Sequence, residues 1–286
     1  MLIERVGVVG CGLMGSGIAE VSARAGCHVI VVEENGAAAK AGLERVEKSL
    51  ANAARRGKLS TDDVERVLAG LDVVDDVAAL ADRDLVVEAV PEDEDLKLAV
   101  FRAIDGVVER SDAVLASNTS SIPIMKLAMA TSRPEQVVGL HFFNPVPVLP
   151  LVELVSSLLT SDATATAAGD FAVERLGKNL IRSQDRAGFV VNALLIPYLL
   201  SAIRMLESGF ASAEDIDHGM VYGCAHPMGP LALTDLIGLD TTAAVARSLY
   251  EEFKEPLYSA PPLLMRMVDA GLLGRKSGRG FYTYDR

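Results

Sequence analysis

The sequence predicts an α/β fold with a largely parallel sheet, followed by an all-α C-terminal domain. A strand–helix–strand unit with a glycine-rich turn fills the first 33 residues, and short apolar runs then alternate with helical stretches up to about residue 155. Strands that alternate with helices form parallel sheets covered on both faces. After about residue 185 the pattern is helical. We therefore predict domains over residues 1–185 and 186–286.

The first unit consists of a strand over 5–10, a helix after it and a second strand over 28–33. Gly10, Gly12 and Gly15 form a G-x-G-x-x-G motif between strand and helix, which is typical of a Rossmann-type dinucleotide site. Leu13 and Met14 begin the helix, whose N-terminal N–H groups attract phosphate. The alternative is a glycine-rich turn without a ligand.

Glu33 closes the second strand, 18 residues after Gly15. A carboxylate at this position can accept hydrogen bonds from ribose hydroxyls and repels a 2′-phosphate, so we expect NAD rather than NADP. The alternative for Glu33 is a solvated strand end.

The next elements follow the same alternation. A helical pattern runs over 37–68 with a break near Gly57. Further elements are read as strands over 85–90, 113–117, 137–143, 151–155 and 181–183, with a proline-rich loop at 144–150.

The second domain is predicted to contain helices over 188–208, 213–222, 230–253 and 262–271. Because the first of these is apolar on more than one face, we expect a homodimer through this domain. Burial in the core of a small helical domain is the alternative.

The composition restricts the function classes. The 286 residues are 50% hydrophobic and 23% charged, which is typical of globular proteins. Lys and Arg number 27 and Asp and Glu 39, and the net charge of −12 argues against a nucleic-acid partner.

Other partners are also disfavoured. The apolar runs are too short for a membrane helix, and the N-terminus does not resemble a signal peptide. The cysteines, Cys11, Cys27 and Cys224, are sparse and form no metal-ligand cluster with histidines. We expect a cytoplasmic protein without a metal.

His141 lies at the carboxyl end of a predicted parallel strand, where ligands of open α/β sheets bind. If the loop 144–150 reverses the chain, Glu153 comes to lie beside His141. A carboxylate on one imidazole nitrogen raises the basicity of the other, which suits a general base in alcohol oxidation. A purely structural histidine is the alternative. The polar run Ser117–Ser121 ends another strand and would bind a substrate oxygen or cap a helix.

Together these residues resemble the L-3-hydroxyacyl-CoA dehydrogenases, and most closely the short, stand-alone bacterial 3-hydroxybutyryl-CoA dehydrogenases. The resemblance covers essentially the whole chain. It rests on the following segments: Gly10–Ala19, Glu88–Glu92, Ser117–Ser121, His141–Pro147, Pro227–Pro230 and Gly278–Tyr282.

The resemblance implies an NAD-dependent oxidation of (S)-3-hydroxyacyl-CoA to 3-oxoacyl-CoA and its reverse, with a short acyl chain. It implies that His141 is the catalytic base, Glu153 orients it, Ser120 binds the substrate oxygen and Asn192 binds the thioester carbonyl. The alternatives are a dehydrogenase of a free 3-hydroxy acid and a catalytically silent dinucleotide-binding protein.

The resemblance also implies binding residues beyond the glycine turn. The cofactor contacts it implies are Glu33, Glu92, Lys97, Ser120, Asn144 and Lys276, and the CoA contacts are Ser49, Arg56 and Ser120. Arg56 belongs to a cationic patch that suits the phosphates of CoA, although a solvated helix end is equally compatible. Ala187 and Ala193 replace the proline and arginine that the family often has.

Overall fold

The protein was analysed as a computed structural model that describes residues 2–284 and divides into two compact units after Arg186. The first unit is built on one sheet with helices around it. Its strands are β1 (Arg5–Val9), β2 (His28–Val32), β3 (Leu71–Val74), β4 (Leu85–Glu88), β5 (Val114–Ser117), β6 (Val137–Phe142), β7 (Leu151–Ser156) and β8 (Asn179–Gln184). Its α-helices are α1 (Leu13–Arg24), α2 (Gly36–Arg55), α3 (Thr61–Ala69), α4 (Glu94–Val107), α5 (Ile124–Ala128) and α6 (Asp162–Asp170).

The strand order across the sheet is β3-β2-β1-β4-β5-β6-β7-β8, and every neighbouring pair is parallel except β6 and β7. The predicted α/β class with a largely parallel sheet is confirmed. The order reverses between β1 and β4, and ligands of open α/β sheets bind at the carboxyl ends of strands beside such a reversal.

The edge strand β3 was missing from the predicted strands. It is four residues long, only Leu71 in it is buried, and Asp72 interrupts its apolar residues, so it lacks the apolar run that marks the interior strands. The central strands carry such runs because both of their faces are covered; all six residues of β6 are buried.

The helical segment after β2 breaks where the sequence predicted. Helix α2 ends at Arg55, and Gly57 adopts the left-handed conformation with φ of +68°. Ser60 then starts α3 through a capping box with Asp63.

The second unit is helical, as predicted. Its α-helices are α7 (Val191–Glu207), α8 (Ala213–Cys224), α9 (Pro230–Ile237), α10 (Leu239–Phe253) and α11 (Pro262–Asp269). They enclose an apolar core of their own around Leu200, Leu231 and Leu249, each with 0% exposure. The prediction of one helix over 230–253 was wrong, because Gly238 has φ of +105° and separates α9 from α10.

Within residues 2–284, no helix is both long and apolar enough to cross a bilayer. The same residues contain no group of three or more His, Cys, Asp or Glu side chains that could hold a metal ion.

Candidate active site

The glycine-rich turn lies between β1 and α1, at the carboxyl edge of the sheet. Gly10 has φ of +91°, which an L side chain rarely adopts. A Cβ on Gly15 would lie 1.8 Å from the carbonyl oxygen of Gly10, so a side chain there would force α1 away from the turn. A Cβ on Gly12 would meet nothing within 4 Å, which leaves the backbone open to a pyrophosphate.

Glu33 lies directly after β2 and contacts this turn. Its carboxylate accepts hydrogen bonds from the backbone N–H of Cys11 and of Glu34, the latter at 3.3 Å. Burial raises the pKa of the Cys11 thiol to about 11, and the charge of Glu33 adds to the rise. The thiol therefore stays protonated at neutral pH and acts as a small apolar side chain.

A cavity of about 810 Å³ opens at this edge of the first unit. The glycine turn forms one side, and Val77, Leu96 and Val100 add apolar surface. Four carboxylate side chains also line the cavity: Glu33, Glu34, Asp75 and Asp76. The open turn, the helix N-terminus and the adjacent carboxylates together fit a dinucleotide without a 2′-phosphate.

His141 and Glu153 face each other across β6 and β7. The proline-rich loop reverses the chain, and the antiparallel register pairs the two residues directly. The imidazole Nδ1 lies 2.7 Å from the Glu153 Oε2. Glu153 is fully buried and His141 is 6% exposed, so the pair is shielded from water. The expected approach of the two side chains is confirmed.

The polar turn after β5 lies next to β6. The Oδ1 of Asn118 accepts a hydrogen bond from the backbone N–H of Phe142, at 2.9 Å. This contact fixes the turn beside the residue that follows His141. Ser120 is half-buried in the same turn.

One carboxylate oxygen of Glu92 accepts several hydrogen bonds from this turn. Its Oε1 accepts hydrogen bonds from the hydroxyl of Thr119 at 2.6 Å and from the backbone N–H groups of Ser120 and Ser121 at 2.9 and 3.0 Å. Burial alone would raise the pKa of Glu92, but the charge of Lys97 and these hydrogen bonds outweigh it and lower the pKa. Glu92 is therefore ionised at neutral pH.

Lys97 lies on α4 and points into the protein. It is 1% exposed, and its Nζ donates to the Oε1 of Glu88 at 2.6 Å and lies 3.3 Å from the Oε2 of Glu92. Of the two carboxylates that it contacts, Glu92 is the one that reaches the surface. We therefore expect Glu92 to connect Lys97 to a bound cofactor.

Asn144 is exposed in the loop between β6 and β7. Buried Lys178 stabilises this loop, because its Nζ donates to the carbonyl oxygens of Val146 and Leu149, at 2.6 and 2.8 Å. Burial lowers the pKa of Lys178, and the charge of Arg24 lowers it further.

Two of the residues with implied CoA contacts, Ser49 and Arg56, lie on α2 or directly after it. Ser49 is half-buried, and Arg56 is exposed directly after the helix. Arg55 and Lys58 are exposed beside it, so the cationic patch is open to an anionic ligand. Arg45, on the same helix, donates to the carbonyl oxygen of Cys11 at 2.8 Å and thereby ties α2 to the glycine turn.

Asn192 and Lys276 belong to the second unit. Asn192 is half-buried in the first turn of α7, three residues after Phe189, and both Gly188 and Phe189 have positive φ. Lys276 pairs with Asp240, the Nζ lying 2.6 Å from the Oδ2. Buried Asp235 accepts the N–H groups of residues 281 and 282 and so fixes the segment after Lys276.

Sequence reasoning missed Glu88 and Lys178. Glu88 belongs to the segment Glu88–Glu92 on which the family resemblance rests. A charged residue that ends an apolar strand indicates a buried, paired side chain. Lys178 carried no such signal, because its acceptors are carbonyl groups about 30 residues away.

Comparisons with known proteins show to which family the chain belongs. Residues 5–186 match the model of the 3-hydroxyacyl-CoA dehydrogenase NAD-binding domain, and residues 188–284 match that of the 3-hydroxyacyl-CoA dehydrogenase C-terminal domain. The chain belongs to the 3-hydroxyacyl-CoA dehydrogenase family. It is therefore an NAD-dependent oxidoreductase, and its first unit is the NAD-binding domain of the family.

Individual members of the family are similar over their full length. A 3-hydroxybutyryl-CoA dehydrogenase of Mycobacterium tuberculosis is 60% identical over 99% of both chains. The crystal structure of M. tuberculosis FadB2 has a TM-score of 0.99 at 60% identity, with 100% of both chains covered. That of the (S)-3-hydroxybutyryl-CoA dehydrogenase PaaH1 from Ralstonia eutropha has a TM-score of 0.95 at 46% identity, again with 100% of both covered.

Proposed function

We propose that this dehydrogenase interconverts (S)-3-hydroxybutyryl-CoA and acetoacetyl-CoA, with His141 as the general base and acid. The observation that carries the proposal is the buried His141–Glu153 pair, with 2.7 Å between Nδ1 and Oε2, at the carboxyl end of β6. The names of the M. tuberculosis and R. eutropha relatives support a short acyl chain.

His141 would accept the proton of the C3 hydroxyl on Nε2, because Glu153 engages Nδ1. A bound NAD would supply the acceptor for the hydride that leaves C3. As the O–H and C3–H bonds break, the C3–O bond becomes a carbonyl. Glu153 stabilises the imidazolium that results. In the reverse direction the imidazolium returns its proton to the forming alkoxide.

Further residues would bind and orient the substrate. The hydroxyl of Ser120 would bind the substrate oxygen, and the amide of Asn192 the thioester carbonyl. Ser49 and Arg56 would contact CoA, and the exposed positive charge at Arg56 supports that role. Glu33, Glu92, Ser120, Asn144 and Lys276 would contact the cofactor together with the glycine turn. Lys97 is only 1% exposed and would act on the cofactor through Glu92.

The direct test compares acetoacetyl-CoA with free acetoacetate at equal concentrations, with NADH oxidation followed at 340 nm. We expect turnover with the thioester and much less with the free acid. Preference for the free acid would instead identify a 3-hydroxy acid dehydrogenase. NADH binding without turnover of either would identify a silent dinucleotide-binding protein.

We also propose that the protein forms a homodimer through its helical unit and acts in the cytoplasm. Large apolar side chains on different helices of that unit are exposed, among them Leu194 at 73% and Tyr222 at 79%. All three cysteines are free, as expected in a reducing compartment.

Sedimentation velocity at micromolar protein tests the dimer. We expect a dimer for the natural protein and a weakened one for the double variant Leu194→Asp/Tyr222→Asp. Leu158→Asp is the matched control, since Leu158 is 90% exposed in the first unit. A monomeric natural protein would contradict the proposal.

A further inference from the structure

Glu88 is a fully buried carboxylate at the carboxyl end of β4, beside the point where the strand order reverses. It accepts hydrogen bonds from the Nζ of Lys97 at 2.6 Å, the hydroxyl of Ser117 at 2.6 Å and the backbone N–H of Val90 at 2.8 Å. The reaction described above gives it no role.

One branch of these contacts leads through Lys97 to Glu92. The Nζ of Lys97 lies within 3.3 Å of the Oε2 of Glu92, which leaves Oε1 to bind the N–H groups of Ser120 and Ser121. The orientation of the Glu92 carboxylate is thus set by a lysine that Glu88 holds in place.

The other branch leads through Ser117 to the polar turn itself. The hydroxyl of Ser117 donates to Glu88 and accepts from the N–H of Thr119 at 3.1 Å. The backbone N–H of Asn118 donates to the carbonyl of Glu88 at 2.9 Å, and the Asn118 side chain accepts from the N–H next to His141. The start of the turn is therefore tied directly to Glu88, and its far end is tied to Glu88 only through Glu92 and Lys97.

We propose that Glu88 is a positioning residue that sets the Ser120 turn relative to His141 and to the cofactor. Three donors converge on its buried carboxylate. Replacing it by a neutral side chain leaves buried Lys97 with one carboxylate, that of the partly exposed Glu92, beside the carbonyl of Val90. Removing one member of a buried charge pair is strongly destabilising for the partner that remains. This inference rests on the proposed function, in which Ser120 and Glu92 contact substrate and cofactor.

The test compares Glu88→Gln with Asp84→Asn. Asp84 also carries a buried carboxylate, directly before the same strand, but at its opposite end, where Arg5 and Arg110 pair with it at 3.2 and 3.1 Å. Both changes remove one buried, paired negative charge. A merely structural role of Glu88 predicts that the two variants lose thermal stability and keep the same kcat.

We expect Glu88→Gln to lower kcat for acetoacetyl-CoA by about tenfold or more, because a displacement of about 1 Å in an active site has effects of this size. We expect Asp84→Asn to retain the kcat of the natural protein. The dissociation constant of NADH, measured by nicotinamide fluorescence, is expected to rise in Glu88→Gln and to stay unchanged in Asp84→Asn. Equal behaviour of the two variants in both measurements would overturn the proposal.

Ser117→Ala covers the case in which Glu88→Gln does not fold. This change preserves the Glu88–Lys97 pair and breaks the link from Glu88 to the polar turn. We expect a smaller fall of kcat in the same direction, and an unchanged kcat and NADH affinity would count against the proposal. If the natural protein does not turn over acetoacetyl-CoA, the proposed function fails, and the NADH dissociation constants still decide the role of Glu88.

Discussion

The negative charge of Glu153 beside His141 can be tested by a neutral substitution. At the scale of single residues, its carboxylate contacts the imidazole of His141, and in the proposed mechanism it would stabilise the imidazolium formed in the reaction. We expect Glu153→Gln to lower kcat by about 10²-fold or more, since the neutral amide provides no such charge. Steady-state kcat with saturating acetoacetyl-CoA and NADH measures this. An unchanged kcat in the folded variant would remove Glu153 from the mechanism.

We propose that Glu33 sets how strongly the site prefers NADH to NADPH. We expect Glu33→Gln to reduce the NADH/NADPH ratio of kcat/KM by about tenfold, because one charge that repels the 2′-phosphate is removed. A preference for NADH should remain, since Glu34, Asp75 and Asp76 line the same cavity. Glu44→Gln, an exposed change on α2, is the control. An equal ratio in both variants would contradict the role of Glu33.

Some features of these residues can be predicted from the sequence and others cannot. The approach of Glu153 to His141 could be predicted, because a proline-rich loop between two strands implies a reversal. The burial of Lys97 could not, because a lysine early in an amphipathic helix is ordinarily solvated. It is buried here because Glu88, on the neighbouring strand, supplies a partner.

At the scale of elements, the close approach of α2 to the glycine turn depends on a missing side chain. A Cβ on Gly42 would lie 2.5 Å from the Cβ and 2.6 Å from the Sγ of buried Cys11. We expect Gly42→Ala to displace the turn and raise KM for NADH several-fold. Gly36→Ala is the matched control in the same helix, since a Cβ there meets nothing within 4 Å. Equal KM values would show that the turn tolerates the displacement.

Element boundaries were predicted best where local chemistry fixes them. The end of α2 follows from Gly57 and the capping box of Ser60, both visible in the sequence. The division of the segment 230–253 at Gly238 was missed, because helical periodicity resumes immediately after it. Nothing in the local pattern distinguishes that glycine from one tolerated inside a helix.

At the scale of the whole molecule, carboxylates with lowered pKa values make the first unit sensitive to acid. Burial alone would raise the pKa of Asp84 and of Asp105, but hydrogen bonds from backbone N–H groups and arginines outweigh it. A folded-state pKa below the unfolded value stabilises the protein fully above that unfolded value, about 4, and the stabilisation is lost as the pH falls. Asp185 acts in the opposite direction, because burial raises its pKa.

We therefore expect the free energy of unfolding in urea to stay nearly constant from pH 6 to about pH 5 and to decrease as the pH falls below about 4, the unfolded pKa of an aspartate. Asp105→Asn should reduce both the stability at pH 6 and its loss on acidification, since that carboxylate no longer titrates. Parallel curves for the variant and the natural protein would show that Asp105 does not contribute to the acid sensitivity.

The proposed mechanism assigns the proton transfer to His141, and the variant His141→Gln tests that assignment. Single-turnover rates of NADH oxidation by acetoacetyl-CoA should be compared between the natural protein and His141→Gln, with NADH affinity measured on both. We expect His141→Gln to lower the rate by about 10²–10⁴-fold and to leave the dissociation constant for NADH unchanged. A rate equal to that of the natural protein would contradict the assignment.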